Sequence, residues 1–238
     1  RNSGTTLRLL AGLYSSLKIP VQLIGDSSLN RRPMDRIIAP LSKMGVDIES
    51  NESRSPIRLK GFNLKPVHYE IDVPSAQVKS CLLLAALGAG GRSVIKEKTD
   101  TRNHLELMLE SVSRNIISRE DRSIAIELTT KSSLKEFSID IPGDISSASY
   151  LIGLAVLIPS SKITINDVLI NPLRMGFVNT LQKMGANIVV ERKRKEHNEE
   201  VGRIIVHGDK ELIPCNVSRK IVTRMIDEIP MLSLICSY

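Results

Sequence analysis

The 238-residue chain is 42% hydrophobic and 25% charged, an ordinary globular balance and enough length for one large or two modest domains. Its 33 basic residues against 26 acidic ones leave a net charge of +7, which favours anionic partners; no Trp, three Phe and four Tyr offer few stacking platforms and argue against single-stranded nucleic acid. Three cysteines without CxxC spacing (Cys81, Cys215, Cys236) argue against a disulfide framework or zinc knuckle and read as reduced, partly buried fillers, and the four histidines show no metal-ligand spacing.

The chain starts at Arg1 and enters helical periodicity at once in "NSGTTLRLLAGLYSSL", as if a preceding strand had been removed, so both ends are expected to be cut. A β-branched run, "VQLIGD", follows, and then "GDSSLNRRPMDR", where Arg31 and Arg32 precede a proline that can open a helix and would set a guanidinium fork beside its N-terminus. A second helix closes in "LSKMGVDI", and "SPIRLKG" and "VHYEIDV" read as strands. Next come the helix "PSAQVKSCLLLAALGAG", stopped by Gly88, Gly90 and Gly91, the strand "SVIKEK", and the helix "DTRNHLELML". Those glycines follow a helix and precede a strand, the reverse of a dinucleotide fingerprint, and no P-loop is present. Strand-like "IAIEL" and "FSIDI" lead to a third apolar helix, "ISSASYLIGLAVLI", then to "KITIND" and a helix ending in "LQKMGANI". The run Arg192–Lys195 sits between β-like segments ahead of "EHNEE" and reads as a solvated hairpin tip; "RIIVHG", "ELIPC" and "MIDEIPMLSLICSY" complete the chain. The longest apolar runs are about half the ~20 residues of a membrane span, and no charged-then-apolar leader opens the sequence, so a soluble cytoplasmic protein is expected.

The octets beginning at residues 41, 109 and 181 ("LSKMGVDI", "LESVSRNI", "LQKMGANI") share a leading Leu and a closing Ile at offsets of 68 and 72, and the same series of elements precedes each. Each unit reads helix, strand, helix and three strands, which is βαβαββ with the phase shifted. Each opens on small polar residues at a helix start, and Asp227-Glu228 falls where a fourth opening is due. Small polar openings cap free N–H groups, and convergent helix N-termini in a basic protein suit a phosphate or carboxylate ligand.

Six stretches, "NSGTTLRLLAGL", "GDSSLNRRPMDRIIAPLSKMG", "VPSAQVKSCLLLAAL", "DTRNHLELML", "IPGDISSASYLI" and "MIDEIPML", resemble in order the motifs of the 5-enolpyruvylshikimate-3-phosphate synthase family. The resemblance implies an α/β (α+β) fold of repeated βαβαββ units forming a two-domain, inside-out α/β barrel, incomplete here. Residues 1–142 would hold two units of the upper domain and residues 143–238 one unit and the start of the next in the lower domain. It implies transfer of the enolpyruvyl group of phosphoenolpyruvate to the 5-hydroxyl of shikimate 3-phosphate with release of phosphate, on the route to chorismate and aromatic amino acids. No metal or organic cofactor, no nucleic acid and no membrane partner are implied, and a monomer is expected at full length.

Carried over by motif, Ser75, Ala76 and Gln77 are expected to bind shikimate 3-phosphate together with Arg102, whereas Gly4, Arg32 and Gln77 are expected at phosphoenolpyruvate. Asp227 resembles the carboxylate that binds the shikimate hydroxyls and is the expected base for the 5-hydroxyl; Glu228 is not expected to be catalytic. The pattern departs at Arg1, where Gly is usual, at Asn103, where Asp is usual, and in "ESVSRNI", which lacks the Gly of its sister turns. The family's N-terminal Lys-Ser-Arg and C-terminal basic segments would lie outside residues 1–238, so this chain alone is expected to be inactive. The alternatives are the sister UDP-N-acetylglucosamine enolpyruvyltransferase family, whose loop cysteine is missing from "IGDSSLNRRP", and a non-catalytic anion-binding module.

Overall fold

The computed structural model describes residues 2–113, 116–127 and 134–238. Two compact units emerge, Arg1–Thr101 with Leu109–Glu136 and Arg102–Met108 with Phe137–Tyr238.

In the first unit, α1 (Gly4–Leu17), β1 (Val21–Leu23), a 3-10 turn (Leu29–Arg31), α2 (Asp35–Lys43), β2 (Val46–Asn51) and β3 (Arg54–Phe62) form the first repeat. The antiparallel sheet runs β1-β3-β2. Strict alternation in β3 buries Ser55, Ile57 and Leu59 and exposes Arg54, Arg58 and Lys60, as a half-buried strand requires. The next elements are β4 (His68–Ile71), α3 (Ala76–Ala86), β5 (Ser93–Glu97), α4 (His104–Val112), β6 (Ile117–Glu120) and β7 (Ser123–Ile126). They build a second sheet ordered β4-β5-β7-β6, in which β4 and β5 are parallel.

The glycines of the first and third octets, Gly45 and Gly185, take φ of +92° and +93° straight after a helix, a conformation that costs a residue with a Cβ dearly. The corresponding turn of the second octet runs into Arg114 and Asn115, outside the described residues.

The second unit holds α5 (Ile145–Leu157), β8 (Lys162–Leu169), α6 (Gly176–Lys183), β9 (Asn187–Glu196), β10 (Glu199–His207), α7 (Arg219–Val222), a 3-10 turn (Ile226–Glu228) and α8 (Ile229–Ile235). Its antiparallel sheet is ordered β8-β10-β9. Ile152, Phe177, Val178, Leu181, Ile204 and Val206 form its core. The segment Arg102–Met108 groups with this unit although the sequence division at 142–143 leaves it in the first. The reason lies in hydrogen bonds: Asn171 Nδ2 donates to Asn103 Oδ1 at 2.9 Å, His104 Nδ1 lies 2.6 Å from Glu199 Oε1, and Asn198 Nδ2 donates to the Leu107 carbonyl.

Two strand-like stretches differ from expectation. "FSIDI" and "ELIPC" are not strands, because neither finds a ladder partner among the described residues: in the first the Ser138 carbonyl lies 2.9 Å from His197 Nε2, and in the second Ile213 N donates to the Met184 carbonyl. The basic run is also placed differently. Arg192–Lys195 lies within β9, and the hairpin tip is His197-Asn198, both at positive φ as a tight two-residue turn demands. Acids of the same sheet meet three of the run's four cations at 2.5 Å each, Arg192 on Glu200 across the hairpin, Lys193 on Glu191 of its own strand and Arg194 on Asp167 of β8.

A buried ion pair sits inside the first unit. Lys79, 1% exposed on α3, donates to Glu97 Oε2 at 2.8 Å, and Thr101 Oγ1 donates to Glu97 Oε1 at 2.5 Å. Taking both charges out of water is costly, so losing one partner is worse than losing both. Lys79→Ala should lower the unfolding free energy by about 3–5 kcal/mol, and Lys79→Met with Glu97→Met by much less; urea titration followed by circular dichroism measures both.

Candidate active site

Helices α1 and α3 meet backbone to backbone. A Cβ on Gly12 would lie 2.1 Å from the Cys81 carbonyl oxygen, so only glycine permits this approach. It sets two capped helix starts side by side: Ser3 accepts from Thr6 N at 3.1 Å and Ser75 from Val78 N at 3.4 Å. Gln77, in the first turn of α3, bridges them, since its Nε2 donates to Thr5 Oγ1 at 2.8 Å and its Oε1 accepts from Arg8 Nη1 at 2.7 Å. Arg8 also reaches the Pro33 carbonyl in the segment that carries Arg32. Gly4 closes the group: a Cβ there would come within 2.9 Å of Arg8 Nη1 and 3.5 Å of Arg32 Nη1. The structure therefore brings together Gly4, Arg32, Ser75, Ala76 and Gln77, and adds Arg8, which sequence reading missed. The available signal was its place in "NSGTTLRLL", one helical turn beyond Gly4 on the same face.

This cluster is electropositive. Burial first, and then the guanidiniums of Arg32 and Arg36, pull Arg8 below its ordinary pKa, outweighing the nearby Asp35 carboxylate. Two helix N-termini and mutually repelling guanidiniums are chemically suited to a dianion or carboxylate, which would relieve that repulsion. Behind it, burial pushes the Cys81 thiol up to about 12, so Cys81 is packing and not a nucleophile.

Arg102 and Asp227 belong to the second unit, where Arg102 Nη2 pairs with Asp227 Oδ2. Asp227 lies in the 3-10 turn and caps nothing. Glu228, beside it, accepts from Ser146 Oγ. Ser146 in turn accepts from Arg174 Nη2 at 2.6 Å, and Arg174 pairs with Asp144 at 2.8 Å. The N-cap of α5 is Asp144, which accepts from Ser147 N at 3.1 Å, so Ser146 is free for these other bonds. A cavity of about 260 Å³ in this unit has walls that include Met108, Ile139, Ile141 and Leu169, and none of the predicted site residues lines it.

The family model described as EPSP synthase (3-phosphoshikimate 1-carboxyvinyltransferase) matches residues 1–237. The chain belongs to the EPSP synthase family. A 3-phosphoshikimate 1-carboxyvinyltransferase of Caldicellulosiruptor bescii is 41% identical over 241 residues, covering 100% of this chain and 55% of that protein. One of Clostridium tetani is 41% identical over 238 residues, covering 53% of its length. A solved EPSP synthase from Acinetobacter baumannii superposes with a TM-score of 0.85 at 34% identity, over 98% of this chain and 53% of its own. The chain thus spans about half the length of the curated relatives it matches. The incomplete α/β fold of repeated units that the resemblance implies is the EPSP synthase fold.

Two carboxylates of the second unit carry a pH dependence. Desolvation alone would raise Asp144, but Arg174 and the N–H groups of Ser147 and Ser146 overcome it and hold the carboxyl below its ordinary value. Desolvation is likewise outweighed at Glu199 by His104 and Asn171. Because both folded pKa values are depressed, the stabilisation is fully present above the ordinary carboxylate range and is lost progressively as pH falls through and below it. The urea midpoint of the second unit should drop over that window, and Asp144→Asn should flatten the drop while lowering the plateau at neutral pH.

Proposed function

We propose that this chain supplies part of the site of an enzyme that transfers the enolpyruvyl group of phosphoenolpyruvate to the 5-hydroxyl of shikimate 3-phosphate, releasing phosphate. The observation that carries the reading is the adjacency of the α1 and α3 N-termini, bridged by Gln77 and flanked by Arg8 and Arg32. Both substrates are phosphorylated, and phosphoenolpyruvate adds a carboxylate, so paired N-termini and guanidinium forks match what must be bound. In this reading Ser75, Ala76 and Gln77 hold shikimate 3-phosphate, Arg102 its phosphate, and Gly4, Arg32 and Gln77 phosphoenolpyruvate, with Arg8 orienting Gln77. Asp227 accepts the 5-hydroxyl proton as the C–O bond forms, a role open to a half-exposed carboxylate whose partner Arg102 is taken up by the substrate phosphate. The names of the matched relatives support the same assignment.

Calorimetry of the 238-residue chain with shikimate 3-phosphate should show binding that Gln77→Ala and Arg102→Gln each weaken about tenfold or more, the effect of one charge-assisted contact. No binding by the unaltered chain, or full affinity in both variants, would favour a module with another ligand. At about half its relatives' length the chain alone should release no phosphate in a coupled assay; turnover matching the Caldicellulosiruptor bescii enzyme would show that these residues suffice.

A further inference from the structure

Asp227 and Glu228 are neighbours of like chemistry and opposite environment. The Asp227 side chain is 51% exposed, whereas Glu228 is 2% exposed. A carboxylate is buried at such cost only when something holds it, and here Ser146 Oγ donates to Glu228 Oε1 while Oε2 is enclosed without a hydrogen-bond partner among the described residues. The proton direction is unambiguous. Arg174 can only donate, so Ser146 must accept from it and spend its single O–H on Glu228. Arg174, itself held by Asp144, thus presents its charge to Glu228 through one hydroxyl.

The turn is fastened on its other side too. Met225 is 1% exposed, and Thr180 Oγ1 lies 3.6 Å from its sulfur. The backbone of Ile226-Asp227 is therefore held between Met225 and Glu228, and Asp227 is left facing outward.

We propose that Glu228 is the positioning residue of Asp227: through Ser146 and Arg174 it fixes the 3-10 turn so that the Asp227 carboxylate stands at a set place beside Arg102. The proposal rests on the reading of Asp227 as the carboxylate that serves the shikimate hydroxyls. Glu228 does not touch substrate in this scheme. It sets where its neighbour's oxygens stand, which determines hydroxyl binding and proton transfer but not phosphate binding by Arg102.

The test uses Ser146→Ala, which removes the relaying hydroxyl, and Ser146→Thr, which keeps it. Amide hydrogen exchange over Ile226–Ile229 should accelerate about tenfold in Ser146→Ala, with the rest of the second unit unchanged, and should return toward the original rate in Ser146→Thr. Calorimetry should show affinity for shikimate 3-phosphate falling about tenfold in Ser146→Ala, with no loss for inorganic phosphate. Unchanged exchange in Ser146→Ala, or equal loss for both ligands, overturns the proposal. If Ser146→Ala does not fold, Glu228→Gln, nearly isosteric, takes its place with the same expected direction in both measurements and the same overturning results. If the unaltered chain binds no shikimate 3-phosphate, the functional reading fails, and the exchange measurement still decides whether Glu228 holds the turn.

Discussion

The contact on which the first unit's chemistry depends is the approach of α1 to α3 at Gly12 and Cys81. Helices separated by ordinary side chains lie 8–10 Å apart, which would keep Thr5 and Gln77 from bonding. With no side chain at Gly12 the helices close, their first turns come level, and one amide joins them. The bridging of the two helix starts by Gln77, and with it the tie from Gln77 to Arg8, follows from that single steric permission.

The repeat solves one local problem the same way at three of its four openings. Ser3, Ser75 and Asp144 each accept a backbone N–H at a helix start, which is the cheapest remedy for unsatisfied donors. At the fourth opening the acids do something else. Asp227 turns out to Arg102 and Glu228 turns in to Ser146. A carboxylate released from capping is one that can meet a ligand, and the second carboxylate is the counterpart that keeps the turn in place.

Much of this was legible because it is local. Cap residues, the glycine stop after α3, whose Gly90 takes φ +68°, and the alternation in β3 are set by neighbours a few positions away. Gly4, Arg32 and the Ser75–Gln77 group were found by motif, and the fold packs them as one cluster. What sequence could not show depends on partners distant along the chain. Arg8 becomes a site residue only because α3 brings Gln77 to it from 69 positions away. Nothing near Arg174 announces that it serves Ser146 and Asp144. The strand-like "FSIDI" stays irregular because pairing needs a partner edge as well as propensity. Motif separates Asp227 from Glu228, but not the outward and inward directions of the two side chains, which are set by the turn and by what waits behind it.

The pairing within β9 and β10 bears on how a ligand would arrive. Formal charge counts every cation equally, but those of Arg192, Lys193 and Arg194 are each met by a carboxylate at 2.5 Å and cast little field beyond a Debye length of about 8–10 Å. The guanidiniums around Gly4 repel one another and are not cancelled in this way. Those three cations therefore add little to the pull on a small dianion, whereas the guanidiniums around Gly4 stand beside open helix starts, where encounter, as much as affinity, is tuned by ionic strength.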